Sequence, residues 1–125
     1  LTIIPIPGHQ SSSIAVYDAS TKLLLTGDTF YPGRLYVNDW PAFKKSIDRL
    51  VRFTEKNEVS VILGNHIEMT SVFGKDYPMG TPYQPDEMIL PLTTDDLKEL
   101  AAANHSIGDS AKLEIHDRFI IYPTN

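Results

Sequence analysis

The sequence contains no cysteine, and that single absence removes disulfides and thiolate metal sites together. Any metal the chain binds must therefore be held by imidazole and carboxylate. Basic runs are equally scarce. Nothing exceeds Lys44-Lys45, and 11 basic residues face 16 acidic ones for a formal net charge of −5. A nucleic-acid footprint needs a basic stripe, so neither RNA nor DNA is an expected partner. Long apolar runs are missing as well. The longest, such as Leu23-Leu24-Leu25 and Val61-Ile62-Leu63, are strand-sized and far short of the roughly 18 residues of a membrane span. No signal-peptide pattern is present. The chain opens at Leu1, directly in a strand-like run, and reads as cut from a longer protein; cytoplasmic is the default compartment.

What is there is globular. Hydrophobic residues make up 42% and charged residues 22% of 125 residues, enough for one core. Leu1 to Ile6 reads as a strand, closed by Pro5, Pro7 and Gly8. Ser13 to Tyr17 and Lys22 to Thr26 form a hairpin around the polar turn Asp18-Ala19-Ser20-Thr21, and Gly27-Asp28 ends it. A helix follows, capped by Asn38 or Asp39 with Pro41 in its first turn. Trp40, Phe43, Ile47, Leu50, Val51 and Thr54 recur at helical spacing, and Asn57 stops the element. Val59 to Leu63 is a short strand closed by Gly64-Asn65-His66. From Thr70 to Pro91 periodicity fails, and loops of that length are usually functional or mobile. A second helix begins near Thr93 or Thr94, and a hairpin turned at His116-Asp117 closes the chain. The pattern predicts an α/β or α+β arrangement with one mixed sheet and two main helices.

Four histidines are present, and two share a setting that the others lack. His9 follows Gly8 at one strand end, and His66 follows Gly64-Asn65 at another. Asp28 follows Gly27 at a third. Glycine lets the backbone turn sharply at each place. If the strands are neighbours, the three side chains gather at one sheet edge, where ligand sites of open α/β sheets commonly form. Zinc accepts both donor types, as do iron and manganese. The two oxygens of Asp28 can bridge a pair of ions about 3.5–4 Å apart, the usual separation in two-metal hydrolases.

Each residue also has an ordinary reading. A lone histidine at a strand end is more often a surface or hydrogen-bonded residue, and Gly-Asp after a strand is common turn chemistry. His105, at the end of the second helix, is expected to meet the last carbonyls, and His116, in a turn, to be solvated. Glu68 either orients a ligand from outside the metal shell or is a surface carboxylate. Arg34 meets an anionic substrate or a neighbouring carboxylate. Tyr31, Tyr36, Tyr77 and Tyr83 line a pocket or simply pack. Asn65 suits the left-handed conformation of a turn.

Three ordered motifs resemble those of metallo-β-lactamase-fold hydrolases. They are Pro7-Gly8-His9 followed by Ser13-Ile14-Ala15-Val16-Tyr17, then Leu24-Leu25-Thr26-Gly27-Asp28-Thr29-Phe30, then Gly64-Asn65-His66, with Gly33-Arg34 where many members carry Gly-Arg. The chain departs from that family in having Gln10-Ser11-Ser12 after the histidine, and in lacking an H-x-H-x-D-H motif. The resemblance implies that His9 serves a first metal, that Asp28 bridges and takes part in catalysis, and that His66 serves a second. It implies two zinc ions in the parent protein, with iron or manganese as alternatives, and weak or absent binding by this piece alone. It makes residues 1–125 a single partial domain, the C-terminal half of an αββα fold. The missing N-terminal half is then the first partner, a small molecule the substrate, and a homodimer the expected state of the isolated piece.

Two readings of function follow. In one, an activated hydroxide attacks an ester, thioester, lactone or amide, with Arg34, Tyr77 and Tyr83 as pocket candidates and Glu68 in support. In the other, the domain is non-catalytic and serves protein association.

Overall fold

The computed structural model describes residues 1–124. Seven strands and two helices follow in the order β1 (Thr2–Pro5), β2 (Ile14–Asp18), β3 (Leu23–Gly27), β4 (Arg34–Val37), α1 (Trp40–Lys56), β5 (Val61–Gly64), α2 (Thr94–Ile107), β6 (Glu114–Ile115) and β7 (Ile120–Pro123). The α+β class matches the sequence pattern, but the strands form two sheets rather than one. The first has the order β1-β2-β3-β5 and the second β4-β7-β6. β1, β2 and β3 are an antiparallel meander, and β5 adds parallel to β3. The chain leaves this sheet at the Gly27–Gly33 turn, and β4 instead pairs parallel with the distant β7. That pairing is invisible to a local pattern.

Helix boundaries follow local chemistry. The Asp39 side chain accepts from the Ala42 amide at 3.1 Å, Pro41 occupies the first turn, and Asn57 closes α1. At α2, Thr93 and Asp96 form a reciprocal capping box, at 3.1 Å to the Thr93 hydroxyl and 2.8 Å to the Asp96 carboxylate. Trp40, Phe43, Ile47 and Leu50 of α1 enter one core with Ile4, Ala15, Leu24 and Ile62 of the first sheet and Leu97 and Leu100 of α2. Each fully buried large side chain there contributes about 1.5–3 kcal/mol.

The opposite face of the first sheet is open. Ile3, Val16, Leu25 and Leu63 stand in register across all four strands, and Ile3 and Leu25 are exposed at 65% and 42%. Residues between β5 and α2 form no named strand, as the loss of periodicity indicates. Isolated bridges, Met69 to Asp76 and Thr70 to Glu87, fold that segment on itself. No helix of the described residues is long and apolar enough to cross a membrane.

Candidate metal centre

His9, Asp28 and His66 each lie just past the end of a strand of the first sheet. Gly8 takes a positive φ of 144°, and its carbonyl accepts from the amides of Asn38 and Asp39, each at 2.9 Å. The His9 turn is thus tied to the start of α1. Asp28 sits in a turn closed by the Thr29 amide on the Thr26 carbonyl at 3.1 Å, with Gly27 at φ 56°. The buried Thr26 hydroxyl donates to the Phe30 carbonyl at 2.6 Å and holds the turn against the core. Past β5, the Asn65 amide donates to the Gly27 carbonyl at 2.9 Å, which carries His66 alongside Asp28.

The result is direct contact between two of the three candidates. His66 Nε2 lies 2.8 Å from Asp28 Oδ1, both side chains half-exposed. His9 lines the same cavity of about 340 Å³ as Asp28, with Ser12, Ser13, Thr29 and Asn65. His9 Nδ1 meets the Tyr36 carbonyl at 2.9 Å. A carbonyl can only accept, so Nδ1 carries the proton and, in the neutral ring, Nε2 carries the lone pair. Metal-bound histidines are usually fixed in this way, the outer nitrogen donating to a carbonyl or carboxylate. His66 is held by an edge-to-face contact with Tyr31, ring centroids 5.4 Å apart.

These donors fit zinc, iron or manganese in type and, at His9, in tautomer. They do not suffice in number. Among the described residues no group of three or more His, Asp or Glu side chains is assembled to hold an ion.

Other candidates go elsewhere. Arg34, nearly buried, takes the carboxylate reading: it reaches Asp76 at 2.7 Å, Glu68 at 3.3 Å, the Tyr77 carbonyl at 2.7 Å and the Tyr36 hydroxyl at 2.8 Å. Glu68 also accepts from the Arg34 amide at 2.7 Å, so it braces β4. Burial pulls the guanidinium's pKa down, but the Tyr36 and Asp76 hydrogen bonds and the Glu68 charge outweigh it and raise it overall. Burial, reinforced by Glu68, Tyr36 and Asp28, pushes the Tyr31 phenol well above its ordinary value. Tyr77 lines a separate cavity of about 470 Å³ within the Thr70–Asp86 loop, and its hydroxyl accepts from the Asp86 amide at 2.8 Å. Tyr83 is exposed. Tyr36 packs edge-to-face on Tyr122.

Three local expectations are corrected. His105 meets Asp48 of α1 at 3.0 Å rather than the last carbonyls of its own helix, because α1 and α2 pack together. His116 is not solvated: it stacks on Phe119 and lies between Glu99 at 2.6 Å and Glu114 at 3.0 Å. Asn65 does not adopt the left-handed conformation; among the described non-glycine residues only Lys22 does. Its side chain instead donates to Asp28 Oδ1 at 3.2 Å. In the sequence it stands beside the end of β5 alone, and no local signal ties it to Asp28.

The sequence model of the metallo-beta-lactamase superfamily matches residues 1–107. The chain belongs to that superfamily. Three curated relatives are acyl-coenzyme A thioesterases named MBLAC2. Those of Bos taurus and Homo sapiens are each 32% identical over 72 residues, covering 53% of this chain and 25% of theirs. That of Gallus gallus is 31% identical over 75 residues, covering 55% and 26%. The chain thus spans about a quarter of the length of the curated relatives it matches. No solved structure matches it significantly.

Proposed function

We propose that this chain supplies His9, Asp28 and His66 to the metal site of a hydrolase that cleaves an acyl bond of a small molecule, a thioester foremost. The observation that carries the reading is the 2.8 Å contact of Asp28 and His66 beside a cavity that His9 also lines. Bound there, zinc, iron or manganese would supply Lewis acidity and activate water for attack on a carbonyl. His9 would present Nε2, its other nitrogen being spent on Tyr36, and Asp28 would contribute carboxylate oxygen. Superfamily membership supports hydrolysis, and the named activity of the relatives favours the thioester.

The donors still required are assigned to the rest of the protein, with this chain as the second half of a two-sheet domain. The open row Ile3, Val16, Leu25 and Leu63 supports that assignment, since a registered apolar sheet face needs a covering layer. Without that layer, the same face favours a homodimer of the isolated chain. The acidic balance disfavours nucleic acid.

The test is metal analysis and acyl-coenzyme A hydrolysis by the full-length protein. Stoichiometric metal, lost together with activity in His9→Ala, Asp28→Ala and His66→Ala, is the expected result. A full-length protein that binds no metal returns the association reading.

A further inference from the structure

Resting on that metal-site reading, we infer that Asn65 is a positioning residue: its side-chain amide fixes the Asp28 carboxylate in the orientation the site uses. Asn65 makes two successive tethers to the end of β3. Its backbone amide donates to the Gly27 carbonyl at 2.9 Å, and its Nδ2 donates to Asp28 Oδ1 at 3.2 Å. The first continues the β3–β5 pairing one residue beyond the sheet. The second crosses from that continued backbone to the ligand itself. A carboxylate only accepts, so the amide must present its nitrogen, and the assignment of the two amide atoms follows from chemistry.

Asp28 Oδ1 also receives His66 Nε2 at 2.8 Å. Both contacts fall on one oxygen, so Oδ2 is the atom whose lone pairs these two residues leave unused. A side chain as exposed as Asp28, at 42%, has little packing to hold one rotamer. The two contacts on Oδ1, from the amide and from His66, together supply the restraint. The amide is also neutral, so it orients the carboxylate without cancelling the charge that attracts a cation. A lysine or arginine in that place would do the first and defeat the second. Asn65 precedes His66 directly, so one short segment sets the positions of both donors.

The test takes the full-length protein with Asn65→Ala and Asn65→Leu, the latter keeping volume while removing the donor. In the metal-free protein, three-bond couplings to the Asp28 Cγ report its χ1. One rotamer is expected in the wild type and averaging in both variants. Zinc affinity, measured by competition with a chromophoric chelator, is expected to fall about 10–100-fold, as for other residues that orient metal ligands. The thermal midpoint of the metal-free protein should not move. Couplings that match the wild type overturn the inference, as does an affinity loss that tracks a fall in the metal-free midpoint. A wild type that takes up no zinc, while Asp28 averages only in the variants, upholds the role of Asn65 and removes the metal reading instead.

Discussion

His66 Nε2 and Asp28 Oδ1 meet at 2.8 Å, yet 56% and 42% of their side chains remain exposed. A pair so open to water contributes at most about 1 kcal/mol to folding. Neither residue is placed there by what it adds to stability. Asp28→Ala and His66→Ala should therefore change metal-free stability by less than about 1 kcal/mol while removing metal uptake by the full-length protein. Denaturant titration beside metal analysis separates the two effects. A large loss of metal-free stability in either variant would make the contact structural.

Gly8 behaves in the opposite way. A β-carbon there would lie 2.5 Å from Phe43 Cα, and the backbone is at φ 144°. Both the clash and the strain fall on the junction between the His9 turn and α1. Gly8→Ala should destabilise the protein by roughly 2–4 kcal/mol, in the range of severe core disruption. It should also shift the amide resonances of His9 and of Asn38, which are tied to the same turn. A variant as stable as the wild type would mean that the turn and α1 can separate freely.

The three strand ends were legible because their signals are local. An apolar run, then a glycine, then His9, Asp28 or His66 needs no knowledge of the rest of the chain. The caps at Asp39 and Thr93 are local in the same sense. Of the second sheet, the closing β6–β7 hairpin was legible but β4 was not. Arg34-Leu35-Tyr36-Val37 lacks a clean alternation because Arg34, Leu35 and Val37 are all buried, and its partner Ile120–Pro123 lies at the far end of the chain. Asn65 differs for a related reason: its sequence context suits a turn, whereas its side-chain contact is with Asp28, far away in sequence. His116 does sit in the β6–β7 turn, but α2 brings Glu99 against it, which no local pattern shows.

Arg34 has a 7% exposed side chain and holds the long loop to β4 through Asp76, Glu68 and the Tyr77 carbonyl. Removing one partner of such a pair leaves carboxylates without compensation, at a cost of about 3–5 kcal/mol when the pair is fully buried. Asp76 and Glu68 keep 36% and 19% exposure, so roughly 2–4 kcal/mol is expected for Arg34→Met. Arg34→Lys should recover little, because an ammonium cannot serve both carboxylates and Tyr36 with a planar fork. Hydrogen exchange should report the loss first between Thr70 and Asp86. Protection there equal to the wild type would show that the loop is held by its own bridges.

Lys22 is the one described non-glycine residue in the left-handed region, at φ 62°, closing the turn between β2 and β3. Its amide donates to the Asp18 carbonyl at 2.6 Å, while the Asp18 carboxylate gathers Ser20 and Thr21. Those hydrogen bonds, Thr21 first and then Ser20, hold the Asp18 carboxyl below its ordinary pKa. The turn is therefore specified by Asp18, and Lys22 adopts a conformation that costs an ordinary side chain about 1–2 kcal/mol. Its ion pair with Glu58 is exposed and offsets little of that cost. Lys22→Gly should raise stability by about 0.5–1 kcal/mol, after allowing for the extra freedom of glycine in the unfolded chain. A lower unfolding midpoint in this variant would assign more to the Lys22–Glu58 pair than its exposure allows.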